Sequence, residues 1–348
     1  MATASQIRGA ILEEAVLFLL EKVGYKIVRR PTDSIDSSDL KVNHSGLEVQ
    51  GRGAWHQIDA LAEQDQTPAF MFPLRLLVEA KCYPNSRVGI PIVRNSVGVH
   101  KDISENYFTK HRSTNAKSTI RFNYQSAIFS VSGYTKPAID YAVAHQIFLI
   151  EYTGVPIIEP VIRAITNLEV ESLTDLGVRD ISGVRDKFKN ILEHNHPNEY
   201  LSTHFTPQGV ESIQQVSQRL ENIGGSYFGM LQGRWPLHLL TQDELPAHAF
   251  RNDTVQCRLN GNREGNWTFT PIEYQQGELG WFELQFFLPI ELAEKMSPQW
   301  GDQARVAQTK SENFSFIAMS GRIGGIWRNV KIELNQEWLS TYLRENRN

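Results

Sequence analysis

Residues 76–83 read LLVEAKCY. The run is apolar enough for a buried strand, yet it carries a glutamate and a lysine two residues apart. Side chains alternate along a strand, so Leu76, Val78 and Ala80 point to one face and Leu77, Glu79 and Lys81 to the other. Glu79 and Lys81 are therefore neighbours, roughly 6–7 Å apart along the strand. Charged groups in such a strand are costly unless something pairs with them. Taken alone the two make an ion pair at a strand end. Joined by other acids on the same face, they make a candidate metal-dependent hydrolytic site.

The stretch before it supplies such an acid. Residues 46–63, GLEVQGRGAWHQIDALAE, form two strand-like runs punctuated by Gly51 and Gly53, the pattern of a hairpin. On the second run Ile58 and Ala60 share one face and Gln57, Asp59 and Leu61 the other. Asp59 interrupts an otherwise apolar strand. Further back, residues 8–23 have helical spacing, with Leu12, Val16, Leu19, Leu20 and Val23 on one face. Gly24 is a stop signal, and YKIVRR reads as a strand. On the helical wheel Glu13 falls at the border of the buried face and Glu14 on the solvent face. Residues 31–45 are Asp- and Ser-rich and read as a solvated connection.

Downstream of Tyr83, Pro91 opens a helix over 91–105, with Ile92, Val93, Val97 and Ile103 inward and Arg94, His100 and Lys101 outward. Residues 106–124 hold Lys110, Arg112, Lys117 and Arg121 and no acid, the composition of a loop that touches phosphates or of a solvated one. The runs SAIFSVS, TKPAIDYAVAHQ and IFLIEY then read as strand, helix and strand. Short apolar runs alternating with helices indicate a mixed α/β sheet.

The order is helix with Glu13, hairpin with Asp59, strand with Glu79-x-Lys81, helix, strand, helix, strand. It resembles the PD-(D/E)xK, or restriction-endonuclease-like, nuclease superfamily, and within it the Mrr-type restriction endonucleases and archaeal Holliday-junction resolvases. RGAILEEAVLFLLEKVGYKIVRR looks like their first helix, GRGAWHQIDALAE like their Asp-bearing strand, and LLVEAKCY like their (D/E)xK strand. AIFSVSGYTKPAIDYAVAHQIFLIEY resembles the strand-helix-strand that closes the domain. The likeness covers about residues 5–155. One departure is that no proline precedes Asp59, where the superfamily's name has one.

The resemblance implies a restriction-endonuclease-like mixed sheet flanked by helices, and a DNA phosphodiesterase dependent on Mg2+ or Mn2+. It implies that Asp59, Glu79 and the backbone carbonyl of Ala80 ligate the metal. Glu13 would hold a metal-bound water or a second ion, and Lys81 would orient the attacking water or stabilise negative charge. Magnesium prefers oxygen ligands and retains waters, which suits this donor set. His56 and Gln57 flank Asp59 and are candidate substrate contacts. Tyr83, Arg94, Lys110, Arg112, Lys117 and Arg121 are candidate contacts to double-stranded DNA. Cutting both strands usually takes two active sites, so a homodimer or larger complex is expected. A role in restriction or anti-phage defence comes from the resemblance alone. The alternative is a nuclease-fold subunit that binds nucleic acid or a partner without cutting. An RNA nuclease would share the same site.

Composition is that of a globular protein, 41% hydrophobic and 21% charged. No run approaches the ~18 apolar residues of a membrane span. Two cysteines, Cys82 and Cys257, are too few for a disulfide framework and fit the cytoplasm. Residues 1–155 carry 17 basic and 15 acidic residues, whereas the rest carries 18 and 24, so a polyanion contact belongs to the first part. The expected domains are a nuclease domain over 1–160, a helical connector over 161–225 and a β-rich barrel or sandwich over 226–348. His194, His196 and His204 lack cysteine partners or zinc spacing. The last region shows six short alternating runs, from SYFGMLQGRWPLHLL to WRNVKIEL, then a short helix. Its expected roles are sensing a ligand, docking a partner protein or reading a modified base.

Overall fold

The computed structural model describes residues 2–43, 46–64, 67, 70–106, 120–174, 181–194, 205–261, 266–289, 292–293 and 303–345. The chain divides into two compact units. Residues 1–21, 25–151 and 162–217 form one, and residues 22–24, 152–161 and 218–348 the other.

The first unit opens with helix α1 (Ala4–Val23). Gly24 ends it with φ +112°, a conformation that side chains with a Cβ rarely adopt, and the Tyr25 amide bonds the Leu20 carbonyl at 3.1 Å. All five residues expected to face inward are buried, but so are Ile7, Ala10, Ile11, Ala15 and Glu14. The expectation that Glu14 faces solvent is corrected: its side chain is 1% exposed and paired with two arginines. A wheel with one buried face fails because this helix is covered on more than one side.

Strands β1 (Lys26–Val28), β2 (Leu40–Asn43), β3 (Gly46–Gln50), β4 (Trp55–Gln57), β5 (Ala60–Gln64), β6 (Leu74–Lys81), β7 (Asn123–Ser130) and β8 (Phe148–Glu151) make two sheets. One is five-stranded in the order β1-β5-β6-β7-β8, the other β2-β3-β4. The stretch LLVEAKCY becomes the end of β6, the middle strand of the larger sheet. It pairs antiparallel with β5, Ala60 opposite Val78, and parallel with β7. Parallel neighbours need crossover connections. Helix α2 (Ile90–Ser104), with Pro91 in its first turn, links β6 to β7, and α3 (Lys136–Ala144) links β7 to β8.

Leu61 of β5 and Leu77 of β6 lie opposite each other, on the face that also carries Arg75, Glu79 and Lys81. The two leucines pack with Leu40, Leu47 and Val49 of the smaller sheet and with Val28, Ile58 and Ile103. The loop expected over 31–45 therefore contains a strand and part of a core. Its Asp39 is buried and pairs with Arg75, a fully buried arginine on β6, at 2.8 Å. Arg75 also bonds Glu63 at 2.8 Å and the Tyr124 hydroxyl at 2.8 Å, and its guanidinium lies 3.6 Å from the centre of the Phe122 ring.

Helix α4 (Glu159–Thr166) starts the region expected to be a connector, followed by α5 (Ile181–Leu192) and α6 (Pro207–Glu221). The runs VRDKFKNILEHN and TPQGVESIQQVSQRLENIGG have helical spacing and overlap α5 and α6, whereas α4 is not predicted. Residues 162–217, however, fold as part of the first unit rather than as a connector of their own. Arg8 on α1 bonds the Leu168 carbonyl at 2.8 Å.

In the second unit, β9 (Gly225–Leu231), β10 (Trp235–Thr241), β11 (Thr254–Gly261), β12 (Asn266–Pro271), β13 (Leu284–Phe287), β14 (Phe316–Ile323) and β15 (Ile326–Leu334) close into a seven-stranded barrel. Of the two expected architectures it is the barrel. The run at 226–240 is a hairpin, with Trp235 opposite Leu231. Neighbours are antiparallel except β11 and β15, which are parallel. Trp267, Phe269, Phe286 and Phe314 fill the core, with Trp267 stacked on Phe314 at 5.1 Å. The sequence predicts the closing helix, α8 (Gln336–Glu345), but not α7 (Gln303–Asn313), which is polar along most of its length. No helix among the described residues is long and apolar enough to cross a membrane.

Candidate functional site

Asp59 does not lie within a strand. It occupies a bend between β4 of the smaller sheet and β5 of the larger one. The alternation of apolar residues runs through this bend without a break, so the sequence gives no sign that the chain changes sheets. From the bend the Asp59 carboxylate reaches Lys81 Nζ on β6 at 3.5 Å, and Glu79 approaches the same ammonium at 3.0 Å. Alternation along β6 thus brings the two charged side chains together as expected. Ser96 on α2 is buried and bonds the Ser126 hydroxyl on β7 at 2.9 Å.

Glu13 approaches from α1. Its carboxylate pairs with Arg185 Nη1 on α5 at 2.9 Å. Arg185 donates to Glu14 as well, from Nε at 3.0 Å and Nη2 at 2.8 Å. Arg29, just past β1, donates to Glu14 at 2.7 Å from the other direction. Glu13, Asp59, Ala80, Lys81, Tyr83 and Arg185 all line one cavity of about 1170 Å³. Gln57 lines it too.

The electrostatics follow from crowding. Burial, reinforced by the Asp59 charge, pushes the Glu13 carboxyl up to about 8, with Arg185 and Lys81 opposing. Burial also raises Glu79, partly offset by Lys81. Burial disfavours the Lys81 ammonium, but the Asp59 and Glu79 charges outweigh it and hold the lysine protonated well above its ordinary range. Burial would likewise raise Glu14, but Arg29 and Arg185 pull it below the usual carboxylate range.

Glu13 has a consequence for stability. Its folded-state value of about 8 lies above the ordinary 4.5, so between these pH values the folded chain holds a proton that the unfolded chain has released. The contribution is fully present below pH 4.5 and lost as pH rises through 8. Glu13→Gln removes the dependence. Melting curves of the metal-free protein from pH 5 to 9 should show the variant gaining on the parent as pH rises; a constant difference would contradict the assignment.

The other candidates are dispersed. His56 does not line the cavity; its Nε2 pairs with Asp102 at 2.7 Å, and Asp102 also accepts from the Gly53 and Ala54 amides, tying down the hairpin loop. Arg94 is exposed on α2, its guanidinium 5.5 Å from the centre of the Tyr141 ring. His100, expected outward, is half-buried with Nε2 3.0 Å from the Tyr124 carbonyl. Arg121 stacks over Phe72 at 4.6 Å, away from the cavity wall. Lys110, Arg112 and Lys117 lie outside the described residues, as do His196 and His204. Sequence reasoning missed Arg29 and Arg185, because no spacing rule links them to Asp59 or Lys81.

The donors around Lys81 are all oxygen: the Asp59, Glu79 and Glu13 carboxylates and the Ala80 carbonyl. In kind they suit a hard divalent cation rather than zinc or copper. Among the described residues no three Asp, Glu, His or Cys side chains are grouped closely enough to hold a metal ion as they stand. The positive charge between Asp59 and Glu79 is that of Lys81.

No family model and no curated protein matches the chain. A crystal structure of a protein of unknown function, AF1548, is similar with a TM-score of 0.35 and 17% identity, over 61% of this chain and 97% of that one. A score of that size carries no argument about fold or activity.

Proposed function

We propose that the first unit is a metal-dependent endonuclease of the PD-(D/E)xK kind that hydrolyses phosphodiester bonds in double-stranded DNA, in restriction or phage defence. The observation that carries this reading is the convergence of Asp59, Lys81 and Glu13, from a bend, a strand and a helix, on one cavity, with Glu79 paired to Lys81 behind them.

Asp59, Glu79 and the Ala80 carbonyl would hold Mg2+ or Mn2+, with Glu13 bearing on a bound water or a second ion. The metal would supply charge to the phosphate oxygens and acidify a water. Lys81 is held protonated, so it acts as a hydrogen-bond donor and a positive charge, orienting the nucleophilic water or stabilising the pentacovalent phosphate, rather than as a base. Tyr83 and Gln57 would meet the substrate, a role that their position on the cavity wall supports. The barrel is proposed as a recognition or partner-docking module, and a homodimer or larger assembly as the means of cutting both strands.

One observation favours the second reading, a nuclease-fold subunit that binds without cutting. Lys81 already satisfies Asp59 and Glu79, and Arg185 satisfies Glu13. Incubation with supercoiled plasmid, linear duplex and RNA, in Mg2+ or Mn2+ and then with chelator, separates the two. Chelator-sensitive DNA cleavage supports the enzyme. Binding without cutting in either metal supports the silent subunit, and cleavage of RNA alone changes the substrate.

A further inference from the structure

We propose that Arg185 is a substrate-contacting residue supplied to this site from outside the motif. It would be a guanidinium that takes a backbone phosphate of the nucleic-acid strand entering the cavity, with Glu14 as the positioning residue that holds it there. The inference rests on the reading that the substrate is a nucleic acid.

Position comes first. Arg185 lies on α5, in a region that sequence alone assigns to a connector, yet it lines the same cavity as Asp59 and Lys81. All three of its guanidinium nitrogens lie within 3.0 Å of Glu13 or Glu14 oxygens. A side chain so clamped has already lost its rotamer freedom, and a phosphate that binds it need not order it again. Its side chain is 27% exposed, so the clamp leaves an edge open to the cavity.

Charge comes second. One Glu14 carboxylate, 1% exposed, faces two guanidinium groups, those of Arg29 and Arg185. Glu13 pairs with Arg185 as well, so two carboxylates face two guanidinium groups there. Arg30 and Lys189 line the same cavity, as do Asp33, Asp59 and Asp186, so the pull on a phosphate comes from the open edge of Arg185 and not from the net charge of the cavity. Chemistry comes third. The planar fork of an arginine matches two phosphate oxygens, which a lysine ammonium cannot do. If Arg185 only neutralised the two glutamates, its loss would alter stability but not the salt dependence of DNA binding.

That difference is the test. Affinity for a labelled duplex of about 20 base pairs is measured by fluorescence anisotropy in EDTA, where nothing is cut, from roughly 50 to 200 mM salt. The parent is compared with R185K, R185Q, K189Q and the double variant E14Q/R185Q. The double variant leaves no unpaired buried carboxylate at Glu14, and so covers the case in which R185Q alone does not fold. R185Q, or the double variant in its place, should bind about 10-fold more weakly, with the slope of log K against log salt reduced by about 0.9 for one lost phosphate contact. R185K should keep the slope and lose affinity a few-fold, and K189Q should lower the slope in the same sense as R185Q. A folded R185Q or E14Q/R185Q with the parent's affinity and slope overturns the inference, as does a parent that binds no duplex. The nuclease reading fails separately, if the parent binds but Lys81→Ala cuts as fast as it does.

Discussion

Asp59→Asn should reduce metal-dependent DNA cleavage by about 10³-fold or more while leaving the melting temperature within about 3 °C of the parent's. The two halves of this expectation come from the same geometry. Asp59 supplies an anionic oxygen where the proposed metal would sit, and an amide in its place keeps the shape but removes the charge. For the fold, Asp59 is about one-third exposed and its contact with Lys81 is long, at 3.5 Å, so its loss costs about 0–1 kcal/mol. Lys81 keeps Glu79 at 3.0 Å. The Asn substitution also relieves Glu13, whose carboxyl the Asp59 charge helps to push up. Cleavage within 10-fold of the parent in a folded Asp59→Asn would remove Asp59 from the site.

The largest effect on stability is expected at Arg75. This side chain is fully buried between Asp39 and Glu63, both within 2.8 Å, and it bonds Tyr124 as well. Arg75→Met strips the partner from two buried carboxylates, and breaking such a pair costs about 3–5 kcal/mol. In a unit of this size that corresponds to a melting temperature lower by roughly 10 °C. Removing all the charges together, in Asp39→Asn/Glu63→Gln/Arg75→Met, should recover most of the loss, because no carboxylate is then stranded. Calorimetry on the three proteins decides it. A single variant as stable as the parent would mean that Arg75 does not hold Asp39 and Glu63 in place.

Arg75 also marks the limit of what the sequence discloses. The alternation of Leu76, Leu77, Val78 and Ala80 is enough to place β6, and the order of helices and strands around it follows from local pattern. The buried ion cluster does not. Its acids come from a polar loop and from β5, and nothing in the composition of residues 31–45 separates a solvated aspartate from Asp39, which is buried. Glu14 failed for a related reason. A helical wheel reports which residues share a face, not which faces are covered, and the guanidinium groups that cover Glu14 lie on Arg29 and on Arg185 of α5. In the barrel, the strands were legible from their alternation. Closure was not, because it depends on non-local pairings, of β10 with β13, β9 with β14 and, in parallel, β11 with β15. Helix α7 has too few apolar residues to show a period; its buried positions include Thr309 and Lys310.

The candidate site was legible where chemistry is written locally. Glu79 and Lys81 are two residues apart on one strand, so their contact was fixed once the strand was. Asp59 needed the pairing of β5 with β6 to bring it near, and Glu13 needed the packing of α1. Both followed from the order of segments, not from spacing. His56 adjoined Asp59 closely enough in sequence to be a candidate contact, yet it turned to Asp102 on α2 to secure the hairpin.

Single-turnover cleavage of supercoiled plasmid by the parent and by Lys81→Ala, in Mg2+ and with chelator, tests the central claim most directly. The account predicts cleavage by the parent that stops with chelator, and a Lys81→Ala protein that still binds the plasmid but cuts it at least about 100-fold more slowly. Equal cleavage rates for the two proteins would contradict it.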